Sequence, residues 1–394
     1  MDPVVILIPK EKKSGEGRVS ATPGHVSRYV EAGARILVES GAGALSGFSD
    51  DMYNQKNIAY TPDFKTTWNA IIPYQYISDK NELKKTVRTD RRPQEDIIIL
   101  KVKEIIDSEN HFILYGGSPI ISFGHLASNR ELTELVIERN GTYLSLEDIV
   151  ENGKRPVLAG MSKIAGEEAV RIGMRYLPRE KTFRAFIVGY GNVGRAAEAI
   201  AQDREFALNT IVLDTDETKF PIGHDFGQSY WKMEKNNQQV KIVEAFELLQ
   251  GIGKPILIVL AAYTPENRTP TIITNNMLKN IPAESAIVDV SIDQGGACEF
   301  SQVTTHKNPY VELERGIKYI GIPNLPGGDP KRSTPVFSES VFPYMMQIIK
   351  LGFIGALRVN PALRNAISIY RGHVTSKGLA ETFGLVHTPI DTLV

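Results

Sequence analysis

The 394-residue chain is longer than one ordinary hydrophobic core serves, so two domains are expected. Its hydrophobic content of 42% and charged content of 23% are those of a soluble globular protein, and a net charge of −1 gives no footing for nucleic acid, a membrane surface or a polyanionic substrate. A lone cysteine, Cys298, excludes an internal disulfide and suits a reducing compartment.

The N-terminal MDPVVILIPKEKK has too short an apolar run for a signal peptide, and the longest run elsewhere, PILIVLAAY, falls far short of a membrane span. A cytoplasmic location is expected. VVILI reads as a strand, and TPGHVSRYVEAGA as a helix with Thr22 as N-cap and Pro23 in its first turn. RILVES, DIIILKVK and PIISFGH are further strands. Ser128 and Glu131 have capping-box spacing before the helix RELTELVIERN, and TYLSLE closes the series. Strands alternating with helices predict a mainly parallel α/β sheet. Residues 71–94, polar and without a clean period, read as an inserted excursion. A second α/β series begins near Pro156 with RAFIVGYGNVGRAAEAIAQ, followed by strand candidates TIVLD, KPILIVLAAY, SAIVDVSI and IKYIGIPN. The tail from STPVFSES onward reads as helical, with no strand of its own.

One strand raises a question. DIIILKVK ends in Lys101 and Lys103, which strand alternation places on one face. In a parallel α/β sheet, ligands bind beyond the carboxyl ends of the strands, so these lysines stand on the working rim.

GYGNVG supplies Gly189, Gly191 and Gly194 in the spacing of a dinucleotide turn, between an apolar strand and an Ala-rich helix, and Asp214 ends the next strand 20 residues after Gly194. Gly189 allows the turn, Gly191 lets the backbone reach the pyrophosphate, and Gly194 lets helix and strand pack closely. Phosphates would sit at the helix N-terminus. Asp214 would accept from the ribose hydroxyls and repel a 2′-phosphate, which favours NAD over NADP.

IPKEKKSGEGRVSATP, LKVKE, FGHLA, GMSKIAG, VDVSIDQGG, TTHKNPY, PNLPGGDPKRST and GHVTSKGLA, in that spread along nearly the whole chain, resemble the alanine dehydrogenase and transhydrogenase alpha-subunit family. The resemblance implies two Rossmann-like doubly wound α/β domains with a cleft between them: residues 1–157 plus 330–394 as the substrate domain and 158–329 as the NAD domain. It implies interconversion of a 2-oxo acid plus ammonia with an amino acid, a small-molecule substrate and a homo-oligomer. By resemblance, Arg18 holds the substrate carboxylate, Lys103 is the active-site lysine, His125 the histidine and Asp293 the catalytic aspartate. Glu147 and Asn324 match residues at the pocket and cleft, and Ser162 a serine at the cofactor.

The chemistry of these residue types agrees. An arginine grips a carboxylate bidentately as a lysine does not. His125 is the natural proton donor to a carbonyl oxygen, because an unperturbed imidazole titrates near working pH. Asp293 suits proton exchange through water, or the positioning of ammonia or cofactor ribose. Lys101 either assists or is a bystander. No Cys/His cluster has metal spacing, so no metal is implied.

Departures from the family pattern bear on the substrate. Lys163 replaces a frequent glutamate, Gly124 a bulky residue before the histidine, and Leu146 an aromatic. The glycine-rich stretch before the dinucleotide turn is shortened to RYLPREKTFRA. Gly124 and the 71–94 segment leave room for a larger substrate. An opine- or saccharopine-type imine reductase is therefore an alternative, and a non-catalytic transhydrogenase-like NAD module is another.

Overall fold

A computed structural model describes residues 3–53, 58–61, 96–109, 118–178, 183–203, 210–221, 228–232, 254–262 and 269–394. The 71–94 excursion lies outside them. The chain divides into two compact units, Met1–Gly160 with Pro330–Val394, and Met161–Asp329.

The first unit is built on strands β1 (Val5–Ile8), β2 (Arg35–Glu39), β3 (Ile58–Thr61), β4 (Ile97–Lys103), β5 (Pro119–Phe123) and β6 (Thr142–Ser145). Their order is β3-β2-β1-β4-β5-β6, all parallel, with β14 (Ile367–Tyr370) and β15 (His373–Val374) added antiparallel beyond β6. Strand order reverses between β1 and β4, and that crevice is where a doubly wound sheet receives a ligand. Strand β4 is wholly apolar from Ile98 to Leu100 because both of its faces are covered. Its register with β5 shifts between Leu100 and Lys103, a bulge at the rim.

Helix α1 (Pro23–Glu31) starts as the sequence predicts: Thr22 accepts from the His25 N–H, and Pro23 occupies the first turn. Helix α2 (Arg130–Glu138) does not. Its cap is Asn129, whose side chain accepts from Leu132 N at 3.0 Å, while Ser128 ends the preceding 3₁₀ turn. The tail also departs from expectation, since it carries β14 and β15 and completes the first sheet. Its long helix, Pro330–Val359, breaks at Gly352. Among the described residues it is the one helix long and apolar enough to cross a membrane, and half of its most apolar stretch is buried inside the fold. Phe337, Val341, Met345 and Ile348 make it a core helix of this unit.

The second unit is a sheet of β7 (Arg184–Val188), β8 (Thr210–Asp214), β9 (Gln228–Lys232), β10 (Ile256–Leu260), β11 (Ala286–Asp289), β12 (Val311–Glu312) and β13 (Lys318–Ile320). The order is β12-β13-β11-β10-β7-β8-β9, parallel except at the β12 edge. Alternate residues of one strand serve opposite cores: Ile256, Ile258 and Leu260 pack with Phe186 and Ile287, whereas Leu257 and Val259 pack with Ile187 and Val288. Two covered faces explain why these strands read as unbroken apolar runs. The fold class is α/β, with two doubly wound sheets.

Candidate active site

In the first unit the residues singled out by sequence gather at the carboxyl ends of β1, β4 and β5. Lys103, the last residue of β4, is 7% exposed, and its Nζ lies 3.2 Å from His125 Nε2. His125 has a left-handed backbone (φ 45°) that only a minority of side chains tolerate. Glu147 makes that conformation possible. Its Oε1 accepts from His125 N at 2.7 Å and its Oε2 from Gly124 N at 3.2 Å. The imidazole stacks on Phe123, with centroids 6.3 Å apart, and Phe123 rests on Phe337.

Electrostatics follow from this crowding. Desolvation of the half-buried ring and then the Lys103 ammonium push His125 down to about 3, with Glu104 opposing and Lys13 and Arg18 acting in the same direction. The imidazole is therefore neutral at physiological pH, with Lys103 donating to Nε2. This revises the expectation of a histidine poised near working pH: in the unliganded site it is set to receive a proton, and an incoming anion would offset the surrounding positive charge. Burial, then Asp148, pushes Glu147 up to about 7, against the hydrogen bonds it accepts from His125 and Gly124.

Arg18 is 2% exposed, and Glu16 holds it from two residues away. Arg18 Nε donates to Glu16 Oε1 at 2.8 Å and Nη2 to Oε2 at 2.5 Å, a fork that fixes the guanidinium plane. Lys13 pairs with Glu104, whose other oxygen is buried without a hydrogen-bond partner among the described residues. Lys101 proves to be apart from the others. It is fully buried between Glu11 and Glu109.

Gly124 does not widen the site where its side chain is missing. A Cβ there would lie 2.6 Å from the Tyr143 ring, which occupies that space and hydrogen-bonds Ser122 through its hydroxyl at 2.6 Å. Leu146 is buried.

In the second unit Gly189 has φ 96°, and a Cβ would lie 2.5 Å from Ala261 O. At Gly194 a Cβ would run into the carbonyl of Gly189, whereas at Gly191 nothing lies within 4 Å. Helix α4 (Asn192–Ala201) starts at Gly191 without a side-chain cap, so its first N–H groups face this open side. These features fit a dinucleotide pyrophosphate, approached closely at Gly191 and held by the helix N-terminus. Asp214 ends β8, 4% exposed, and accepts from Tyr190 N at 2.5 Å and Asp216 N at 2.8 Å. Lys219 Nζ sits 2.9 Å from Asp214 Oδ1, a neighbour that the strand-end acid alone did not announce.

Ser162, Asp293 and Asn324 lie on three other segments of this unit. Ser162 is half-buried on helix α3 (Pro156–Arg175), and Asn324 takes a left-handed backbone (φ 66°) before the Leu325–Gly328 turn. Asp293 is exposed in a 3₁₀ turn, Val290–Gln294, because β11 stops at Asp289 rather than running on to it. Sequence reading passed over Asp289. Fully buried, it accepts from Ser291 N, Ala297 N, Ser301 Oγ and Tyr319 OH, and so pins the loop that carries Asp293. An acid interrupting the apolar run AIVDV was the available signal.

The N-terminal domain model of the alanine dehydrogenase/PNT family matches residues 7–74, and its C-terminal domain model matches residues 176–377. The chain belongs to this family. It is 30% identical to alanine dehydrogenase of Bacillus subtilis strain 168, across 98% of this chain and 97% of that one. Alanine dehydrogenase 1 of Staphylococcus aureus strain Mu50 is 29% identical, with 98% and 99% covered. Among solved structures, an L-alanine dehydrogenase superposes with a TM-score of 0.78 at 26% identity, covering 96% of this chain and 99% of that one. A transhydrogenase from Sinorhizobium meliloti shares the fold, with a TM-score of 0.71 at 18% identity, over 95% and 99%. The family member described here is an oxidoreductase.

Proposed function

We propose that the protein is an NAD-dependent amino-acid dehydrogenase of the alanine dehydrogenase type, interconverting a small 2-oxo acid plus ammonia with its L-amino acid. The observation that carries the reading is Lys103 set against a neutral His125 beside a buried Arg18, on the rim where a doubly wound sheet receives its ligand. Arg18, oriented by Glu16, receives the substrate carboxylate together with Lys103. The arriving anion draws the Lys103 charge and lets His125 take up a proton, which it delivers to the carbonyl oxygen as ammonia adds to the carbon, so that this oxygen leaves as water and the resulting imine is what hydride reduces. In the oxidative direction the neutral ring removes that proton. Glu147 serves by holding the Gly124–His125 backbone, which aims the ring. Asp293 is assigned to water-mediated proton exchange, and Asn324 to the substrate.

NADH, when bound, supplies the hydride. Gly189, Gly191 and Gly194 receive its pyrophosphate, Asp214 its adenosine ribose and Ser162 the remainder of the cofactor. The space behind Gly124 is filled by Tyr143, which supports a small side chain on the substrate.

The test is NADH oxidation across a grid of 2-oxo acids with ammonium, or with free amino acids as the amine. Turnover of small 2-oxo acids with ammonium is expected, with loss of turnover and retention of NADH binding in His125→Ala. Turnover solely with an amino acid as amine would replace this reading with imine reduction.

A further inference from the structure

The proposed reaction gives Lys101 no task, yet its burial is complete and its ion pairs are elaborate. Nζ donates to Glu11 Oε2 at 3.0 Å and to Glu109 Oε1 at 2.7 Å, and all three side chains are buried. The remaining oxygens of both carboxylates hold backbone. Glu11 Oε1 accepts from Val102 N at 2.6 Å, and Glu109 Oε2 from Ile106 N at 3.2 Å. An ion triad inside a protein adds little net stability over apolar side chains of similar volume. What it adds is a fixed geometry among the segments it joins.

Those segments are the ones that carry the site. Glu11 belongs to the loop after β1, which continues through Lys13 and Glu16 to Arg18. Further along, Ser20 Oγ donates to Leu100 O at 2.7 Å, and midway Lys13 pairs with Glu104. The loop is thus fastened to the end of β4 at residues 11, 13 and 20, on both sides of Arg18. Glu109 fastens the segment that leaves Lys103 to the same ammonium.

We propose that Lys101, with Glu11 and Glu109, is a positioning clamp that holds the 9–20 loop, and with it Arg18, in register with Lys103 and His125. The proposal rests on the functional reading above for what Arg18 does, but not for the fastening itself. A displacement of about 1 Å at a substrate-positioning group costs on the order of a hundredfold in rate, so a clamp far from solvent controls turnover without touching substrate.

Lys101→Met alone leaves two buried carboxylates without their cation and endangers folding. The decisive variant is the triple Lys101→Met, Glu11→Gln, Glu109→Gln, which is neutral and close in volume. Three quantities are read: hydrogen–deuterium exchange of the 9–20 amides, KM for the 2-oxo acid against kcat, and NADH affinity by fluorescence. The clamp predicts exchange in the loop faster by about tenfold, KM raised by about tenfold or more, and NADH affinity unchanged in a folded protein. Loop exchange and KM within about twofold of the parent would overturn it. Should the triple variant not fold, Glu11→Gln alone releases the loop side of the clamp and is judged by the same readouts. A parent without turnover on any 2-oxo acid overturns the functional reading, while exchange still reads the clamp; unchanged exchange overturns the clamp whatever the parent's activity.

Discussion

Lys103 Nζ and His125 Nε2 stand 3.2 Å apart, which forces one of two cationic side chains to stay neutral, and the histidine yields. Its folded value, about 3, lies below the ordinary imidazole value of 6.5, so its contribution to stability is full above 6.5 and is lost as pH falls toward 3. Burial is the larger cause, and removing the neighbouring charge reverses the remainder that Lys103 contributes. In Lys103→Met the His125 ring is expected to titrate closer to 6.5, as followed by imidazole NMR shifts. A midpoint unmoved by the substitution would show that Lys103 does not set the protonation state of His125.

Glu147 behaves in the opposite sense. Burial raises it to about 7 from 4.5, so the folded protein binds its proton more tightly, and this group's contribution falls as pH rises from 4.5 to 7. Glu147→Gln loses one of two acceptors for buried N–H groups, at a cost of about 1–3 kcal/mol. The loss of melting temperature relative to the parent is expected to be larger at about pH 4.5, where the Glu147 contribution is still largely present, than at about pH 8, where it is gone.

Gly124 and Tyr143 form an interlocked pair. Gly124→Ala places a methyl 2.6 Å from the ring and is expected to cost about 1–3 kcal/mol by overpacking. Tyr143→Ala leaves a cavity worth about 3–5 kcal/mol. In Gly124→Ala/Tyr143→Ala the ring that the methyl meets is gone, so the double variant should be more stable than the sum of the single losses predicts. Thermal or urea unfolding of the cycle measures the coupling, and strict additivity would dismiss the interlock.

The glycine turn separates binding from folding. Gly191 has φ −82° and open space around it, so Gly191→Ala should fold normally yet weaken NADH binding by about tenfold or more, because its methyl stands where the phosphate approaches. Gly194→Ala meets the Gly189 carbonyl and should lose stability as well as binding. Fluorescence titration with melting curves distinguishes the two; an intact affinity in Gly191→Ala would remove the phosphate from this turn.

Strand periodicity and glycine spacing made the parallel sheets and the turn before α4 legible, because those signals are local. What escaped was set by distant partners. Lys101 and Lys103 look alike in LKVK, and Glu11 and Glu109, which take the first into the core, lie 90 and 8 residues away from it. Asn129 outcompeted Ser128 as a cap through the geometry of one preceding 3₁₀ turn. β14 and β15 escaped notice because a strand as short as His373–Val374 has no period to read. Gly124 looked like vacancy until Tyr143 appeared behind it.

The tail strand β14 hydrogen-bonds β6, and its helix Pro330–Val359 places Phe337 against Phe123, so the first unit is assembled from the two extremes of the chain. During synthesis the sheet of the second unit, drawn from one continuous stretch, has all of its strands outside the ribosome before the first unit has its last two. The open edge of β6 waits through that interval as an unpaired template, which is the circumstance in which strands seek wrong partners. The exposure to mispairing during synthesis therefore lies at an edge of the first unit and not in the sheet of the second.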